Sequence, residues 1–124
     1  MRTLIVDDHN LVRAGLRRML EGMAPHADVV GETANGREAL HLISELDVEL
    51  MITDLSMPHL TGWELLDAVR MLTPDLIDRT LVVSGAVHQR DRPEWTEDIP
   101  VLEKPFSPDG LRDALAALHQ PTTD

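Results

Sequence analysis

The sequence puts two adjacent carboxylates, Asp7 and Asp8, directly after the apolar run Thr3–Val6. Charged side chains are rarely buried without a partner, so acids closing an apolar run call for a cation. Other apolar runs close in the same way: Leu50–Thr53 on Asp54, Leu81–Ser84 on Ser84 itself, and Val101–Leu102 shortly before Lys104. Three carboxylates drawn together repel one another unless a hard divalent cation sits between them, and oxygen ligands with retained waters suit Mg²⁺. An ammonium and a hydroxyl beside that cation would complete a trap for a phosphoryl group. Metal and lysine would neutralise its oxygens while a carboxylate attacks the phosphorus in line. Each piece alone says little, because adjacent aspartates are common and a strand-end acid often caps the next helix. Their joint occurrence at successive strand ends carries the reading.

The elements that must position these residues are legible as short apolar runs alternating with segments of helical period. A further run, Val29–Glu32, brings the number of predicted strands to five. Asn35-Gly36-Arg37-Glu38 and Thr61-Gly62-Trp63-Glu64 fit the capping box, with a glutamate three residues after the N-cap. Behind them Leu40, Ile43 and Leu46, then Leu65, Leu66, Val69 and Leu72, fall on one helix face. The first helix is expected from about Asn10 to Glu21 with Gly22 as its C-cap. The last begins at Ser107-Pro108-Asp109 and presents Leu111, Leu115 and Leu118. Buried strands alternating with helices imply a doubly wound parallel sheet, and the flavodoxin-like order 2-1-3-4-5 makes strands one, three, four and five neighbours about 4.8 Å apart. Ligands bind beyond the carboxyl ends of such strands. Asp7, Asp8, Asp54, Ser84 and Lys104 would then face one small cleft. The stretch Val87–Pro100 breaks the pattern, having no apolar stripe and a proline at its middle, so at most a helical turn near Glu94–Glu97 is expected there.

Composition narrows the function classes. At 124 residues the chain suits one domain, and 43% hydrophobic residues suffice for a core. Eleven basic against 22 acidic residues give a net charge of −11, which repels nucleic acid and favours a cation. With no cysteine there is no disulfide frame and no thiolate site. No apolar run approaches the roughly 20 residues of a membrane span, and the N-terminus lacks a signal peptide, so a cytoplasmic location is expected. Residues 1–119 read as the domain and 120–124 as a tail or the start of a linker.

Over essentially its whole length the chain resembles the receiver domain of two-component response regulators. The stretches LIVDDHNLVRAGLRRML, MITDLSMPHLTGWELL, LVVSGA and VLEKPF carry the likeness, and the first is most like regulators with a helix-turn-helix output domain. The resemblance implies Asp54 as the phospho-acceptor, with Asp8 ligating Mg²⁺ directly, Asp7 mostly through water, and the Ser56 backbone carbonyl as another ligand. It implies that Ser84 hydrogen-bonds the phosphoryl group, that Lys104 pairs with it, and that Lys104-Pro105 is a cis peptide. The implied partners are a sensor histidine kinase or phosphotransfer protein and a second copy of the chain, with transcriptional control as an attached or separate output. Two departures stand out. Val101 occupies the place three residues before the lysine where the family often has an aromatic, and the fourth-helix region is irregular, so atypical output geometry is expected.

Other readings compete with this one. A Mg²⁺-dependent phosphohydrolase with an aspartyl-phosphate intermediate would place a second acid two residues after the first-strand nucleophile, where this chain has His9, and would need an inserted cap. A degenerate receiver would act only through dimerisation. His9, adjacent to the acids, has two readings, a metal ligand or a surface or helix-start histidine, and the second is favoured because Mg²⁺ prefers oxygen. Arg13, Arg17 and Arg18 read as a solvated helix face in preference to a contact surface for an acidic partner, and Trp95 as either packed beneath the irregular segment or an exposed anchor.

Overall fold

The computed structural model describes residues 1–23, 27–54, 62–84 and 93–118. Five strands carry the chain: β1 (Arg2–Val6), β2 (Asp28–Thr33), β3 (Leu50–Asp54), β4 (Thr80–Ser84) and β5 (Val101–Glu103). The helices are α1 (Asn10–Glu21), α2 (Gly36–Leu46), α3 (Gly62–Leu72), α4 (Pro74–Ile77) and α5 (Pro108–Ala116). All strand pairs are parallel and the sheet runs β2-β1-β3-β4-β5, the expected order.

Alternation along the strands divides the core between two faces. Leu4, Val6, Met51 and Val82 pack with Ala39 and Ile43 of α2 and Leu65, Leu66 and Val69 of α3. Ile5, Ile52, Leu81 and Val83 pack on the other face with Leu16 and Leu20 of α1 and Leu111 of α5. Burying a Leu or Ile contributes about 1.5–3 kcal/mol, and central strands buried on both faces have no polar alternative. The helix starts follow the sequence signals: Asn35 Oδ1 accepts from the Glu38 amide at 2.8 Å, and Ser107 Oγ from the Gly110 amide at 3.0 Å. Thr61 of the other capping box lies outside the described residues.

Gly22 is the C-cap of α1, as expected, and two other details, at Leu72 and at α4, depart from the sequence reading. Leu72, assigned to the apolar face of α3, is 72% exposed, because it is the last helical residue and clears the sheet. Gly22 caps α1 in the right-handed region, while the left-handed C-cap belongs to Asp47 (φ 52°), which ends α2. The helix α4, opened by Thr73 and Pro74, had no sequence forecast. Within the connection to β5, the described part holds a 3₁₀ turn, Glu94–Thr96, entered from Pro93. That agrees with the expected helical turn; residues 87–92 lie outside the described residues.

Candidate functional site

Register brings the site together. Val6 pairs with Thr53, so Asp7 and Asp54 are the next residues on neighbouring parallel strands. Asp54 also pairs with Val83, and Ser84 with Glu103, which places Ser84 and then Lys104 on the same edge. Asp7 is wholly buried and Asp54 is 2% exposed. Lys104 Nζ lies 3.1 Å from Asp7 Oδ2 and 3.3 Å from Asp54 Oδ1. The Lys104 amide donates to the Ser84 carbonyl at 2.9 Å, and the Lys104-Pro105 peptide is cis. Ser84 is buried at the end of β4. Asp8 is less enclosed, at 29% side-chain exposure, and its Oδ1 is buried with no hydrogen-bond partner among the described residues. Ser56 lies outside the described residues.

Among the described residues, the charges do not balance within this group. Asp7, Asp8 and Asp54 bring three carboxylates against the single ammonium of Lys104. In the low dielectric of a strand-end pocket that repulsion is far stronger than in water. Hard oxygen donors and an orphaned, buried Asp8 Oδ1 fit a divalent cation.

Two residues that the sequence left outside the site belong to it. The ring of His9 enters the acidic group, with Nδ1 3.1 Å from both Asp7 Oδ1 and Asp8 Oδ1. Arg13, expected on a solvated face, is only 18% exposed. Its Nη1 donates to the Asp7 carbonyl at 2.6 Å, its Nη2 to Asn10 Oδ1 at 2.6 Å, and its Nε faces Glu32 at 3.3 Å. Arg17 also pairs with Glu32, so α1 is tied to β2 and to the backbone of the first acid. Trp95 is half-buried against the α2–α3 side of the core, with the Arg70 guanidinium 4.3 Å from its ring centre. That favours the packed reading of this side chain. Val101 packs against the same cluster.

This geometry can be set beside known proteins. Residues 3–116 match the model of the response regulator receiver domain. The chain belongs to that family. Accepting a phosphoryl group from a histidine kinase is the standard function of receiver domains. The nitrate/nitrite response regulator NarL of Escherichia coli K12 is 39% identical over 88 residues, 71% of this chain and 39% of NarL. The receiver domain of AraT from Geobacillus stearothermophilus superposes with a TM-score of 0.81 at 30% identity, covering 93% of this chain and 89% of that one. Salmonella enterica RcsB, solved bound to the rprA promoter with the phosphomimetic BeF₃⁻, gives a TM-score of 0.75 at 30% identity, covering 94% of this chain and 60% of RcsB. The receiver thus spans about two fifths of the length of NarL. Among the described residues, no helix of this receiver is long and apolar enough to cross a membrane.

Proposed function

We propose that Asp54 is the phospho-acceptor of this receiver, taking the phosphoryl group from a phosphohistidine of a sensor kinase or phosphotransfer protein. An Asp54 carboxylate oxygen attacks the phosphorus as the bond to the donor imidazole nitrogen breaks, and that nitrogen keeps the electron pair. Lys104 Nζ, within 3.3 Å of both Asp7 and Asp54, offsets charge on the phosphoryl oxygens, and this ammonium between two buried carboxylates carries the reading. The Ser84 hydroxyl, on the neighbouring strand end, donates to a phosphoryl oxygen. Asp8 and Asp54 would hold Mg²⁺ directly, Asp7 through water, and the Ser56 carbonyl as a further ligand. When bound, the ion supplies positive charge to the transferring group.

Transcriptional output through a DNA-binding region and homodimerisation belong to the same proposal, supported by the likeness to RcsB, which has been solved as two dimers on two parallel DNAs. The net charge of −11 argues that this chain does not itself contact nucleic acid. A cytoplasmic setting suits a kinase-fed module without a membrane-spanning helix among its described residues. Incubation with acetyl phosphate and Mg²⁺, followed by intact-mass measurement, tests the assignment. One acid-stable, base-labile phosphoryl adduct is expected on the wild type and none on Asp54→Asn. An adduct on Asp54→Asn overturns it, and steady turnover of a phosphate ester would indicate a hydrolase instead.

A further inference from the structure

His9 is the member of the acidic group that phosphoryl transfer leaves unused. It occupies the N-cap of α1 but makes no side-chain capping bond, so helix initiation does not account for its orientation. Instead the ring is held by a hydrogen bond between Nδ1 and Asp7 Oδ1 at 3.1 Å, with Nδ1 also 3.1 Å from Asp8 Oδ1 and 3.9 Å from Asp54 Oδ2, so that an ion bound there would take the place of the shared proton. Around a six-coordinate ion with bonds of about 2.1 Å, neighbouring donors sit roughly 3.0 Å apart. The separation from Asp8, a direct ligand in the reading above, matches that edge, and one donor atom from each of the four residues lies within 4.8 Å of all the others. The buried Asp8 Oδ1, which lacks a hydrogen-bond partner among the described residues, faces the same nitrogen.

A nitrogen donor changes which ions the pocket prefers. Mg²⁺ gains little from imidazole, whereas Co²⁺, Ni²⁺ and Zn²⁺ gain substantially, and their affinities rise along the Irving–Williams order. The ring is 59% exposed, so water can satisfy Nε2–H while Nδ1 ligates. We propose that His9 Nδ1 is a direct ligand of this site and extends it from Mg²⁺ to late first-row divalent ions. This rests on the acidic-site reading above and adds to its direct side-chain ligands, Asp8 and Asp54, a nitrogen donor and with it a second class of ion.

Calorimetric titration of the full chain with NiCl₂ and with MgCl₂ tests the proposal on the wild type, His9→Ala and Asp8→Ala. Removing a direct ligand is expected to lower the Ni²⁺-to-Mg²⁺ affinity ratio by at least about tenfold in His9→Ala, since even outer partners of metal ligands are worth that much. An unchanged ratio overturns the proposal. The remaining histidines are common to the wild type and His9→Ala, so their binding cancels in the comparison. In the wild type, one equivalent of Co²⁺ should shift the His9 ring signals in an NMR spectrum; unshifted signals contradict direct ligation without recourse to any variant. Asp8→Ala separates the two levels. If it still binds Mg²⁺ like the wild type, the acidic site itself is misread, whereas loss of Mg²⁺ there with an unchanged ratio in His9→Ala rejects the nitrogen ligand alone.

Discussion

Two groups of charges at the same end of the sheet are built on opposite terms. At β1, β3 and β5, the carboxylates of Asp7, Asp8 and Asp54 share one ammonium, that of Lys104. One strand away, at β2, the single carboxylate of Glu32 is served by two guanidinium groups, those of Arg13 and Arg17. Among the described residues the first group is short of positive charge; the second has its carboxylate paired twice over and is partly wet. A matched surface pair is a brace and contributes little energy. A buried, unmatched one is retained at a cost in stability and signals a missing ligand. Arg13 joins the two, because the guanidinium that braces Glu32 also donates to the Asp7 carbonyl.

The largest expected effect comes from removing the ammonium of the unmatched group. Lys104→Met leaves buried carboxylates uncompensated and should lower stability by about 3 kcal/mol in urea unfolding without metal. A loss smaller than that of the Glu32 variant below would break the comparison. The opposite sign is expected when a negative charge is removed. Asp54→Asn should raise metal-free stability by roughly 1–2 kcal/mol, visible as a higher Tm in calorimetry, because like charges no longer crowd the pocket. A lower Tm would mean that the three acids are already balanced. The smallest effect belongs to the brace. Glu32→Gln should cost at most about 1 kcal/mol, and raising the salt concentration should shrink that cost, as screening does for exposed pairs. A cost of several kcal/mol, insensitive to salt, would make Glu32 part of the buried network rather than its contrast.

The site was legible in the sequence to the extent that it depends on strand ends. Asp7, Asp8, Asp54, Ser84 and Lys104 each follow or close an apolar run, and parallel register then aligns them without further information. The helix starts at Asn35 and Ser107 were legible because the capping bond is local. What escaped was decided by direction in space. Arg13 and Arg17 are one turn apart on α1, and only the placement of β2 separates a guanidinium turned in to Asp7 from one that reaches Glu32 from the exposed face. The His9 ring could not be aimed from its neighbours, since residue type alone favours oxygen ligands for Mg²⁺. The helix α4 is four residues long, too short to show a period, although Thr73-Pro74 is a legible start. Leu72 fits the apolar stripe of α3 in sequence but lies where the helix has run past the sheet.

The central claim is that the unmatched carboxylates make Asp54 an acceptor that works with a divalent cation. It is tested most directly by mapping the adduct to a residue. After reaction with acetyl phosphate, peptide mass spectrometry should find the phosphoryl group on Asp54 when Mg²⁺ is present, and essentially none after chelation. A modification on Asp7 or Asp8, or one at Asp54 that forms equally well without the cation, would contradict the account.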